Sequence, residues 1–480
     1  MINCFKELAG VSLKLMMYLS TLPLIFFWIF VPGLTWADTP PLLDTRISVS
    51  HASGLYPKWG EDYLVRGATT AENLGFQAIE IYMNPQICWT PHNHNLSDPN
   101  GGGRLKLGIY QTRDWCSDKE RELNMTQLDR NIRSLTDLAA HPRYQEVFSK
   151  PFSTFIIDVD PVDFGQTEYA ACSIRPGAWD ITLLDWSVAS NWNLSGPTFT
   201  PGQLQRTYKE FYDLTKYLLY KYRETEKTFI LQTVNEMDWA ILPFDKNGFP
   251  DATKAPLPDR VQNAILYWNT VQDAIDQARN ESALYSGVGV YQGCEINHVS
   301  KVIKGGKAAV SEIVPNTRCD LYGYSAYDTG FGPKADFANA LNYIESKANA
   351  SGRRSVAPFS SKRVYISELG WNEISGGTPK LNQMLINVQR ALDWGVPIVN
   401  LWTLFDNECD QMYPKLSQCR SGYWMVKPND REQTELGELS TQYNRVLKNY
   451  KSTLPRKAKP TKRNTSSATR NAIYHLLLGK

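Results

Sequence analysis

Eight short apolar runs, separated for the most part by helix-like stretches, constrain this chain more than any other feature. The runs lie at residues 46–51, 76–82, 151–159, 228–234, 286–292, 320–327, 363–368 and 397–405. They are rich in Val, Ile, Phe and Tyr, the composition of strands buried on both faces. Between them fall helix-like segments at residues 63–74, 128–148, 201–224, 258–280, 299–313, 334–348 and 381–394, with a last one at 435–450. Gly75 and Gly395 stand where helices end in a left-handed cap, and Thr200-Pro201 opens one. Pro142 is expected to break the helix that contains it. Strict strand–helix alternation implies a parallel sheet, and eight units imply closure into a (β/α)8 TIM barrel with long loops at the carboxyl-end face. An open doubly wound sheet is disfavoured, because no glycine-rich phosphate loop follows the first strand.

Around the barrel, expected at residues 38–450, lie two segments of other character. Lys6 and Lys14 precede an apolar run at 15–34 that ends in Thr35-Trp36-Ala37. This reads as a secretory signal at 1–37, cut after Ala37, or as a retained membrane anchor, so the body is expected to be secreted or extracytoplasmic. Residues 451–480 form a basic polar tail, expected to be disordered, in which seven Lys or Arg and no acid follow Leu454. The formal net charge is +2, which leaves the body mildly acidic and argues against nucleic acid as a partner. None of the eight cysteines forms a CxxC pair, so no structural zinc is expected; Cys409 with Cys419, and Cys88 with Cys116, are the expected disulfides.

The chemistry concentrates at the ends of two of the runs. TFILQTVNEMDW, residues 228–239, places Asn235 and Glu236 at the end of the fourth strand. RVYISELGWNE, residues 363–373, places Glu368 at the end of the seventh. In a barrel both positions lie at the catalytic mouth, three steps apart on the ring. Two carboxyls brought to roughly 5 Å from one another can cleave a glycosidic bond with retention, one as acid and base, the other as nucleophile.

On these motifs the chain resembles clan A of the retaining glycoside hydrolases, the cellulase, mannanase and xylosidase group, over about residues 45–450. The resemblance implies that Glu236 is the acid/base, Glu368 the nucleophile, and Asn235 a hydrogen-bond partner of the sugar 2-hydroxyl. It implies that Tyr327, or failing it Tyr324, bonds the nucleophile, that Trp402 floors the first sugar subsite, and that Trp402–Thr403 is a cis peptide. Trp371 and Trp239 are further aromatic candidates for the sugar site, with Trp89, Trp115, Trp179, Trp186 and Trp192 in the loops. The chain departs from the clan at Met237, where many members have Pro, at Ser325, where a His is common, and on the second strand, which offers Glu80 and Tyr82 in place of an Arg. Asp158, Asp160 and Asp163 read as a hydrogen-bonded loop rather than a calcium site, and His92 with His94 as a surface pair. The expectation is a monomeric, exported β-glycosidase acting on a β-linked oligo- or polysaccharide, with no cofactor and no metal. A transglycosylase and a non-catalytic glycan-binding barrel are the alternatives.

Overall fold

In a computed structural model of the chain, strands β1 (Ile47–His51), β2 (Ala78–Tyr82), β3 (Thr154–Asp158), β4 (Lys227–Thr233), β5 (Val288–Ile296), β6 (Leu321–Ser325), β7 (Val364–Leu369) and β8 (Val399–Leu401) follow one another round a closed barrel. Every adjacent pair is parallel, and β1 pairs with β8 to close the ring. The (β/α)8 barrel expected from the alternation is therefore observed. The structure describes residues 45–51, 63–83, 134–159, 201–234, 236–243, 245, 250–352, 359–406, 422–428, 434–436 and 440–441. The amino-terminal 37 residues, the tail and the long loops after β2 and β3 lie outside them. So do the loop tryptophans, His92, His94, Asp160, Asp163 and both expected cysteine pairs.

Strand alternation sorts the side chains into two cores. On the outer face Phe155, Ile157, Phe229, Leu231, Val290 and Ile366 meet the helices in the larger apolar cluster. Phe155 stacks on Phe229 with ring centroids 5.4 Å apart, and Phe148 stands edge-on to both. The inner face changes character along the barrel axis. Its lower layer is apolar: Ala78, Ile156, Ile230, Leu321, Tyr365 and Ile398 pack together, with Tyr291 and Phe359 against them. Two residues further along the same faces come Glu80, Asp158, Gln232, Ser367 and Asn400, all fully buried. A barrel interior is ordinarily filled by branched aliphatic residues; here its upper half is a polar network.

The helices follow the sequence pattern closely. Helix α1 (Tyr63–Asn73) is followed by Gly75 at φ 88. Pro142 divides α2 (Leu135–Ala140) from α3 (Pro142–Ser149), with His141 capping the second. Next come α4 (Pro201–Lys221), α5 (Met237–Ile241) and α6 (Pro258–Glu281). Two departures have local causes. The helix expected at 299–313 is two short ones, α7 (Val299–Ile303) and α8 (Ala309–Glu312), because Gly305 at φ 92 and Gly306 end the first. The helix expected from residue 435 is replaced at its start by a strand: β10 (Thr434–Leu436) pairs antiparallel with β9 (Val426–Pro428). Helices α9 (Lys334–Ala350) and α10 (Gly377–Trp394) complete the set, and Gly395 caps α10 at φ 103 through bonds to Ala391 and Leu392. Cys294 is disulfide-bonded to Cys319, a pairing the spacing of the cysteines does not announce. Among the described residues no helix is long and apolar enough to cross a membrane.

Candidate active site

At the end of β4 the backbone leaves the strand through a left-handed turn, with Val234 at φ 62 and Glu236 at φ 48. A β-branched residue rarely adopts this conformation, and such residues persist only where surrounding contacts hold them. The hold on Glu236 is visible. Its N–H donates to Glu295 Oε2 at 2.8 Å. Its Oε1 accepts from Ser325 Oγ at 2.7 Å, and its Oε2 from Trp239 Nε1, one turn into α5, also at 2.7 Å. Both carboxyl oxygens are thus fixed. Burial raises the Glu236 pKa, while the bonds from Ser325, Trp239 and Asn297 and the nearby His298 oppose the rise. Asn235 itself lies outside the described residues.

Glu368 owes its direction to a β-bulge. Along β6 and β7 the pairs run Tyr324 with Ile366, then Ser325 with Glu368, so two residues of β7 oppose one of β6. On the other edge, Ile366 pairs with Val399 and Leu369 with Leu401, an extra residue again. Without the bulge Ser367 and Glu368 would point to opposite faces. The bulge lets Ser367 keep the inward face and brings Glu368 to the mouth, 7% exposed. Ser325 connects the two glutamates, since it is the register partner of Glu368 and a hydrogen-bond donor to Glu236. Among the described residues the Glu368 carboxyl takes no hydrogen bond, so both its oxygens are available to a ligand.

Beneath this pair lie three more buried carboxyls. Glu80 accepts from Gln232 Nε2 at 3.2 Å and from Asn400 Nδ2 at 2.9 Å, and Tyr365 donates to Gln232 Oε1 at 2.6 Å. Burial lifts the Glu80 pKa to about 7 against the pull of hydrogen bonds from Ser50, Asn400 and Gln232. Asp158, expected in a loop, is instead the last residue of β3 and fully buried, because the inward face of that strand carries it into the barrel. Glu295 ends the inward face of β5, fully buried. Burial, then the charge of Glu236, raises its pKa well above the carboxylate range. For Glu368 the causes of a similar rise are burial, then Glu295, then Glu236. Like charges brought together away from water repel, so each carboxylate disfavours ionisation of its neighbours. Burial and mutual repulsion thus act together to raise the carboxyls of Glu80, Glu236, Glu295 and Glu368. Among the described residues no group of three or more His, Cys, Asp or Glu is arranged to hold a metal ion.

The aromatic candidates divide. Trp402, 9% exposed at the end of β8, packs with Tyr82, and Tyr327 and Tyr423 lie against them. The expected cis peptide Trp402–Thr403 is present. Tyr327 sits in a 3-10 turn (Ala326–Asp328) directly after β6, edge-on to Tyr423 at 6.1 Å. Tyr324 points to the outer face, where its hydroxyl meets Asp328 and Thr329. Trp371 needs correction as a sugar platform: it is 2% exposed and donates to Gly377 O at 3.1 Å, a core residue tied to the start of α10. Trp239 spends its indole N–H on Glu236 and sets its ring edge-on to His298 at 4.5 Å. Sequence reasoning missed Glu295 because the fifth strand was expected to end at residue 292. The signal was the continued alternation of VGVYQGCEI, in which Tyr291, Gly293 and Glu295 share one face.

Fold and site together define a parallel eight-stranded barrel with paired glutamates at the carboxyl ends of β4 and β7. No family model matches the chain, and no curated protein matches it in sequence. Solved structures do. A GH5_18 protein from Streptomyces cattleya, in complex with GlcNAc, is 11% identical, with a TM-score of 0.46 over 87% of this chain and 82% of that one. A β-glucosidase mutant derived from a hyperthermophilic tetrameric structure is 13% identical, with a TM-score of 0.47 over 86% and 97%. The exo-β-1,4-mannosidase Op5Man5 from Opitutaceae bacterium strain TAV5 is 12% identical, with a TM-score of 0.43 over 92% and 69%.

Proposed function

We propose that this chain is a retaining β-glycoside hydrolase acting on a β-linked glycan. One observation carries the reading: the glutamates of β4 and β7 converge on Ser325, which hydrogen-bonds Glu236 and pairs in register with Glu368. Glu236, its pKa raised by burial, is suited to hold a proton and deliver it to the glycosidic oxygen. Glu368, which takes no hydrogen bond among the described residues, attacks the anomeric carbon in its ionised form and forms a glycosyl-enzyme. Glu236, now anionic, takes a proton from water, which displaces the sugar and restores Glu368. Trp402 and Tyr82 supply an apolar face beside the pair for a pyranose ring. Export belongs to the proposal and rests on the basic start and apolar run before Ala37; the Cys294–Cys319 bridge suits an oxidising compartment.

The test is turnover of a panel of aryl β-glycosides and β-glucan, mannan and xylan polymers by wild type, Glu368→Ala and Glu236→Ala. Cleavage of one substrate is expected, with kcat reduced by about 10³-fold or more in Glu368→Ala. Azide is expected to rescue that variant and give a product of inverted configuration. Absence of turnover across the panel, with sugar binding the same in all three proteins, would replace the proposal with a glycan-binding barrel.

A further inference from the structure

Glu295 has no part in the two-carboxyl reaction, yet it holds the backbone of Glu236 and its charge bears on Glu368. Its Oε2 is spent on the backbone N–H of Glu236. Among the described residues its Oε1 is buried without a hydrogen-bond partner, which is costly for a carboxylate oxygen and much less so for a protonated acid. Room for Glu295 to reach β7 comes from a glycine. Glu295 pairs in register with Gly323 of β6, and Gly323 pairs with Tyr365 of β7. A Cβ at Gly323 would come within 2.8 Å of Ser367 Cβ and 2.9 Å of the Tyr365 ring. Strand β6 therefore places no side chain between Glu295 and β7. The Ser367 hydroxyl lies beside the Glu295 carboxyl without a well-aligned hydrogen bond, and Glu368 is the next residue.

We propose that Glu295 is a positioning residue serving both catalytic carboxyls: a neutral acid whose Oε2 fixes the backbone of Glu236 and whose Oε1 carries the proton that leaves Glu368 free to ionise. The inference rests on the retaining-glycosidase reading. The titratable groups facing Glu295 are Glu236 from the end of β4, Glu80 from β2, and Tyr365 and Glu368 from β7. All of these are acids, so burial and neighbours alike favour its protonated form. The proton balance is simple. Glu236 gives its proton to the leaving oxygen while Glu368 forms the ester. Water then returns a proton to Glu236 as the ester breaks, and Glu295 keeps its own proton throughout.

The experiment compares Glu295→Gln with Glu295→Leu, each checked for folding by thermal unfolding. Gln keeps an acceptor for the Glu236 N–H and a donor in place of the acid proton; Leu keeps neither. On an activated aryl β-glycoside, Glu295→Gln is expected within about tenfold of wild-type kcat, and Glu295→Leu to lose about 10²-fold or more with KM little changed. The acid limb of the pH profile should stay in place in Glu295→Gln. A limb displaced to lower pH by about one unit or more would mean that wild-type Glu295 carried a charge beside Glu368, and overturns the proposal. A Leu variant as active as wild type also overturns it. Infrared difference spectra of wild type against Glu295→Gln at neutral pH need no substrate. The carbonyl band of a protonated carboxylic acid is expected; carboxylate bands in its place overturn the proposal. The spectrum is informative even if no glycoside is cleaved and even if Glu295→Leu fails to fold, so failure of the glycosidase reading is told apart from failure of this one.

Discussion

At the residue scale, the difference between the two glutamates lies in their hydrogen bonds. Glu236 has both oxygens held, by Ser325 and Trp239, whereas Glu368 has neither held among the described residues. A hydrogen bond to the ionised form lowers a carboxyl pKa, so removing one raises it. Ser325→Ala should therefore move the alkaline limb of the kcat/KM profile upward, by up to about one pH unit if the bond is worth about 1.5 kcal/mol. A pH–rate profile of the variant checks this. An unmoved limb would mean that Glu236 is not the titrating acid.

At the element scale, the β-bulge of β7 and the left-handed exit of β4 do the aiming. Both are deviations from regular strands, set on a barrel whose outer face is packed against the helices. On the β3–β4 side Phe148 of α3 stands edge-on to Phe155, Phe229 and Tyr222 and is fully buried. Phe148→Ala is expected to destabilise the fold by about 3–5 kcal/mol through lost burial and the cavity left behind. Equilibrium denaturation measures it. Much of this level was legible in the chain. Pro142 as a helix break, Gly395 as a cap and the positions of Glu236 and Glu368 at strand ends all follow from local chemistry. The length of β5 was not legible, because Gly293 interrupts its apolar pattern and the pairing partners that extend it to Ile296 are far away in sequence. Trp371 misled for a similar reason: a tryptophan just past a strand end looks the same in sequence whether it faces a ligand or the base of α10.

At the scale of the whole molecule, a buried acidic cluster couples stability to pH. Glu80 has its pKa raised from 4.5 to about 7 in the fold. Between those values the folded protein holds a proton that the unfolded chain has released. Stability is therefore full below about pH 4.5 and falls as pH rises through about 7, by roughly 3 kcal/mol for this group. Glu236, Glu295 and Glu368, raised in the same direction, act with the same sign. The thermal midpoint of wild type should drop across that interval, and Glu80→Gln should flatten part of the slope. A midpoint that rises with pH over the same range would contradict protonation of the cluster. Such a cost at the centre of a barrel is what a functional site, rather than a structural core, would be expected to carry.

Sequence by itself determined the number and order of the strands, the closure of the barrel and the two glutamates at its mouth. These rest on periodicity and on punctuation by Gly and Pro, which act within a few residues of chain. Tertiary structure alone decided that five carboxyls share one interior. Glu80, Asp158, Glu295 and Glu368 come from four different strands and Glu236 from the turn after a fifth, and nothing in the chain announces that the first three stand beneath the pair. The raised pKa of the four glutamates depends on mutual distance and loss of water, quantities that come into being only when the ring closes.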